Sequence, residues 1–100
     1  MPIVQRRRYW ESVRGVMRHE LKTHPEPVVA TMAGRKPYEV RRADRAFGMG
    51  DELILREWTA AGGYTGRSIR AGILYVTEPN TWGLPPDLCV LGIRVLEVRA

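Results

Sequence analysis

The sequence predicts a mainly β fold of the α+β class, a small barrel of five to six strands with one short helix. Two observations predict it. Apolar runs of strand length recur along the chain between turns rich in Gly and Pro, while a single segment carries both a helix start and a helix stop. Helix and strand do not alternate as repeated units, and no motif repeats at a fixed period. One hundred residues allow one compact core.

Residues 1–17 combine Arg6, Arg7 and Arg8 with Tyr9 and Trp10 and show neither a period of two nor one of 3.6. They read as a basic arm. Such an arm could grip phosphates and stack on bases, or could be an extension without a contact role. The domain proper is expected over residues 18–100.

Its first strand is expected over Arg18–Lys22. Thr23 then stands as helix N-cap with Glu26 at capping-box spacing, and Pro25 and Pro27 fall in the first turn, where missing N–H donors cost little. Val28, Val29 and Met32 supply an apolar face, and Gly34 sits where a left-handed residue ends a helix. In the next strand, Pro37–Arg42, Tyr38 and Val40 alternate with Glu39 and Arg41, so the two charged residues share one face.

Phe47 to Asp51 reads as a glycine turn into the strand Glu52–Trp58, where Leu53, Ile54 and Leu55 form a continuous apolar run, as in a strand covered on both faces. Residues 59–66 read as a hairpin loop leading into Ser68–Val76, with Ile69, Ala71, Ile73 and Tyr75 on one face and Tyr75 counted with the core. A loop over 78–87 holds three prolines, Trp82 and Gly83. The closing run Leu88–Val98 is long enough for two strands or one bent strand, because its alternation slips between Val95 and Leu96 as at a bulge.

At 44% hydrophobic and 27% charged residues the composition is that of an ordinary folded domain. The net charge of +5 is unevenly placed: residues 1–50 hold 11 of the 16 Lys and Arg against 5 acids, and residues 51–100 hold 5 against 6. A cationic half raises the local concentration of polyanions and supplies the sequence-independent part of nucleic-acid binding. No signal-peptide pattern follows the arginines and no run is long enough to cross a bilayer, so a soluble cytoplasmic protein without a membrane partner is expected. Cys89, the single cysteine, excludes an intramolecular disulfide and reads as buried packing. His19, His24 and Cys89 lack zinc spacing, and neither a metal nor a cofactor is expected.

The run from Arg18 to Ile93 resembles the ASCH family of the PUA-like superfamily, in particular a small bacterial and phage branch of unknown function. The resembling segments are His19-Glu-Leu-Lys22, Gly34-Arg-Lys36, Tyr38-Glu-Val-Arg41, Asp44-Arg45, Phe47, Gly50-Asp51, Leu53-Ile-Leu-Arg-Glu-Trp58, Tyr64-Thr-Gly-Arg67 and Val90-Leu-Gly-Ile93. Most diagnostic is Gly-x-Lys-x-x-Glu-x-Arg at Gly34, Lys36, Glu39 and Arg41. The resemblance implies a PUA-like barrel with its helix beside a cleft and a role in binding RNA or a modified nucleobase.

Chemically, a lysine offers a mobile point charge to phosphate, an arginine a planar fork, and a carboxylate accepts from an exocyclic amine such as that of cytosine. Glu39 and Arg41 are about 7 Å apart along their strand and could converge on one ligand. They could equally pair with each other on a solvated face. His19 and Lys22 could line the same cleft, Arg45 could reach over it, and Trp82 could stack on a base or cap the barrel end. Some small ASCH proteins hydrolyse the acyl group of acetylated cytidine with the motif lysine, a threonine three residues on and a distant glutamate. Here Lys36 matches, Glu39 replaces the threonine, and the insertion bearing the glutamate is missing between Tyr75 and Leu88. Binding is therefore the expected activity. An amidohydrolase with Lys36 and Glu39 as the acid and base pair, or a ribonuclease, is the alternative.

Overall fold

A computed structural model describes residues 16–100. The arm expected over residues 1–17 lies outside them except for its last two positions. Five strands, β1 (Arg18–Thr23), β2 (Tyr38–Arg42), β3 (Glu52–Thr59), β4 (Gly63–Thr77) and β5 (Leu88–Arg99), and one helix, α1 (Pro25–Met32), follow one another as β1-α1-β2-β3-β4-β5. They form one sheet of order β1-β3-β4-β5-β2, curled into a half-barrel. β1 pairs with β3 in parallel and every other pair is antiparallel. A parallel pair needs a crossover, which here passes through α1 and then through β2 on the far edge of the sheet. The two open edges, β1 and β2, are brought within side-chain reach, because Arg41 on β2 donates through Nη1 to the Lys22 carbonyl of β1 at 3.1 Å.

The core is built on period-two alternation. Leu53, Leu55, Ile69, Ala71 and Leu91 point inward and are fully buried, and Val28 of α1 closes over them. Ile54 turns to the opposite, partly exposed face, so β3 is not covered on both sides as its apolar run predicts. Cys89 packs in this core as expected; burial, and then the carboxylates of Asp44 and Glu78, push its thiol pKa up. No helix among the described residues is long and apolar enough to cross a membrane.

Helix α1 starts one residue later than its capping signal implies. His24 is the N-cap and makes no side-chain capping bond, while Thr23 ends β1, donating its hydroxyl to the Leu21 carbonyl at 3.2 Å. Pro25 and Pro27 lie in the first turn and need no donors there. The stop is as predicted: Gly34 at φ +78° lets the Arg35 N–H reach the Ala30 carbonyl at 2.9 Å and its own N–H the Thr31 carbonyl at 3.1 Å, a Schellman closure.

Two register shifts interrupt the pairing of β4 with β5. The alternation predicted to carry Tyr75 inward is broken between Ile73 and Tyr75, and Tyr75 emerges 58% exposed opposite Gly92. The closing run is one strand, and its pairing with β4 skips at Leu96, where the sequence shows its slip.

Asp51 anchors the turn that feeds β3. Its Oδ2 accepts from the Gly48 N–H at 2.9 Å and from His19 Nε2 at 3.0 Å, and its Oδ1 accepts from the Met17 N–H at 3.3 Å. The carboxylate is fully buried and ties the start of β1 to the 47–51 turn.

Candidate functional site: the seam between the open sheet edges

The centre of the site is the short strand β2, and its faces are the reverse of what hydrophobicity alone would dictate. Glu39 points inward and is 3% exposed, while Tyr38 and Val40 face out at 44% and 48%. Inversion is tolerated because the carboxylate is fully matched. Lys36 Nζ donates to Glu39 Oε2 at 2.6 Å, and Arg41 Nε donates to Oε1 at 3.0 Å. Charge-assisted bonds of this kind offset the desolvation that an isolated buried carboxylate would suffer. Arg41 then spends its other edge on β1: Nη1 on the Lys22 carbonyl and Nη2 on Thr23 Oγ1 at 3.0 Å. The shared face of Glu39 and Arg41 is as predicted, but it is an inner face at the seam and not a solvated one. Lys36 also donates to the Tyr38 carbonyl at 2.8 Å, which fixes it just beyond the glycine stop of α1.

Two adjoining cavities open along this seam. One, about 360 Å³, is lined by residues 22–24, Pro27, Lys36 and 39–41. The other, about 460 Å³, runs along β1 and β2 past Asp44, Arg45 and Phe47. Together they present five cationic side chains, Lys22, Lys36, Arg41, Arg42 and Arg45, against the carboxylates of Glu20, Glu39 and Asp44. Of the residues singled out from sequence, Lys22, Lys36, Glu39, Arg41 and Arg45 meet at the seam. His19 lies buried beneath it, hydrogen-bonded to Asp51 and packed on Phe47 with ring centres 4.8 Å apart. Trp82 stands 92% exposed at φ +53° in its loop and lines neither cavity.

Sequence reasoning missed Trp58. Lys22 Nζ sits 4.2 Å from the centre of its ring, and His24 meets it edge-on at 6.1 Å, so an aromatic wall stands beside two seam residues. Its signal was its position at the end of the β3 motif segment, in register with Tyr64.

A third buried carboxylate, Glu57, lies one strand away and is the register partner of Thr23. It accepts from Arg67 Nη2 at 2.7 Å and from Thr65 Oγ1 at 2.9 Å. The Arg67 and Thr65 hydrogen bonds hold its carboxyl below the usual carboxylate range. A depressed folded pKa means the stabilisation is fully present above the unfolded value of about 4.5 and is lost as pH falls through the folded value. Glu57→Gln is therefore expected to be less stable than wild type near neutrality, with the gap narrowing at acid pH, below the unfolded value. Urea unfolding of both proteins at neutral and at acid pH measures it.

The chain matches the family described as a domain of unknown function, DUF3850, over residues 18–93. It belongs to the DUF3850 family. The matched span runs from the start of β1 to the middle of β5 and contains every seam residue. This DUF3850 chain is also 41% identical over 64 residues to a protein of Escherichia phage P2 named "Uncharacterized 12.9 kDa protein in GpA 3'region". The alignment covers 64% of this chain and 58% of the phage protein's length.

Proposed function

We propose that the seam is a binding site for nucleic acid or a nucleotide, with single-stranded RNA or a modified nucleobase as its ligand class. The observation that carries this reading is the Glu39 carboxylate, nearly fully buried yet placed at the wall of a cationic cleft and gripped by Lys36 and Arg41. A buried ion-pair cluster is weak as a source of stability, because replacing it with apolar residues is often neutral or better. Charged clusters of this type in clefts are functional-site candidates. In this reading Lys22, Arg42 and Arg45 meet phosphates, Trp58 offers a stacking face, and Lys36 and Arg41, held in place by Glu39, present their remaining N–H donors to a base edge. The same residues carry the finer assignment to the ASCH family and the PUA-like superfamily, through Gly34, Lys36, Glu39 and Arg41.

A second reading is favoured by one distance. Lys36 Nζ and Glu39 Oε2, 2.6 Å apart in the smaller cavity, could act as an acid and base pair on an acylated pyrimidine nucleoside. Against it, the amine is already shared between two acceptors and the carboxylate between two cations.

Fluorescence anisotropy with a labelled single-stranded RNA separates the readings. Binding is expected to weaken linearly in log–log form with salt, at a slope of about −2 for three phosphate contacts. Acetate release from acetylated cytidine without RNA binding would support the hydrolase instead.

A further inference from the structure

A third cavity, about 410 Å³, opens on the other side of β1 and is lined by Arg56, Arg67 and Arg99 together with Tyr64 and Ser68. We propose that this arginine cavity is a second anion site, which takes phosphate groups of the same polynucleotide whose base occupies the seam. The ligand is then an oligonucleotide and not a free mononucleotide. This inference rests on the seam being a nucleotide site.

Its three arginines are held differently, and each leaves donors over. Arg56 sits over the Tyr64 ring, its guanidinium carbon 4.0 Å from the ring centre, and touches Glu20 only at 3.5 Å, which leaves N–H donors over. Arg67 is locked by Glu57 through Nη2, yet its Nε–H is buried with no acceptor among the described residues. An orphaned buried donor is costly, and a ligand oxygen reaching it would remove that cost. Arg99 makes no ion pair with any described residue, and it also lines a neighbouring cavity of about 240 Å³ that contains Arg18 and Arg70. The carboxylates in the lining, Glu20 and Glu57, are engaged by Arg56 and Arg67 respectively.

The local backbone is built for this arrangement. Pairing of β3 with β4 slips between Arg56 and Trp58, where Glu57 stands opposite three β4 residues, Thr65, Gly66 at φ +92° and Arg67. A bulge re-aims side chains, and here Arg56 and Trp58 flank it: Arg56 faces the arginine cavity, while Trp58 packs against Lys22 and His24 of the seam. Continuity comes from Glu20 of β1, which lines both the larger seam cavity and the arginine cavity. A chain of phosphates leaving the seam crosses one strand edge to reach it. Planar guanidinium forks match phosphate oxygens bidentately.

The test compares the double variant Arg56→Gln/Arg99→Gln with wild type, using a labelled single-stranded RNA of about twelve nucleotides and, separately, cytidine monophosphate. Both arginines contact solvent, and thermal unfolding checks that the fold is intact. Oligonucleotide affinity is expected to fall about tenfold and the salt slope to become shallower by about one, with cytidine monophosphate binding unchanged. Wild-type oligonucleotide affinity and slope in the variant would overturn the proposal. Loss of oligonucleotide binding in this variant, combined with normal binding by Lys36→Glu, would uphold the arginine site and overturn the seam reading.

Discussion

Asp51→Ala is expected to lower the unfolding free energy by about 3–5 kcal/mol, the largest stability effect expected of a single polar substitution among the described residues. The carboxylate is fully buried and accepts from the Gly48 N–H, the Met17 N–H and His19 Nε2. Its removal leaves at least three buried or partly buried donors without an acceptor, each worth about 1–3 kcal/mol when orphaned, and relaxation recovers part of the sum. The backbone of Asp51 is also paired, accepting from the Ile73 N–H at 2.8 Å and donating to the Gly48 carbonyl at 3.0 Å. The substitution should therefore loosen the 47–51 turn and the start of β1 together. Asp51→Asn, which retains an acceptor oxygen, should lose less. Equilibrium denaturation of the three proteins gives the ranking.

Lys36→Glu is expected to weaken binding of single-stranded RNA by about 10- to 100-fold, the loss of one charge-assisted contact worth about 1.5–3 kcal/mol. The substitution also sets a second carboxylate against Glu39, whose Oε2 the lysine holds at 2.6 Å. Repulsion there pushes Glu39 away from Arg41 and disturbs the base-edge pattern as well as the charge. Lys36→Gln keeps a donor for Glu39 and removes only the charge, so it should fall between wild type and Lys36→Glu. An affinity series at fixed salt, with melting temperatures alongside, separates a lost contact from a lost fold.

Much of the half-barrel was legible in the sequence. Strands β1, β2, β3 and β5 lie within one residue of their expected bounds, while β4 begins at Gly63, inside the stretch expected as a loop; Gly34 ends the helix for the reason its spacing implies, and Leu96 marks the bulge in the last strand. What escaped was orientation. In β2 the alternation shows that Glu39 and Arg41 share a face, but hydrophobicity assigns that face to solvent. Only the contacts from Lys36, and from Arg41 to Lys22 and Thr23 eighteen or more residues away, make an inward carboxylate tenable. Tyr75 was misread for a related reason, since a one-residue register shift flips every later side chain and leaves little trace in local sequence. Thr23 carries a cap signal that the structure spends on strand β1 instead. At the site, the Lys36, Glu39 and Arg41 spacing was readable. The Trp58 wall and the arginine cavity were not, because they depend on register between strands distant in sequence.

The most direct measurement is the amide NMR spectrum of the isotopically labelled protein titrated with a short single-stranded RNA. The largest shifts are predicted at Thr23, at Lys36 and residues 38–42 and at the Trp58 indole, with the core amides of Leu55 and Ile69 unmoved. A spectrum that does not respond, or one whose shifts avoid β2 altogether, would contradict the assignment of the seam as the binding site.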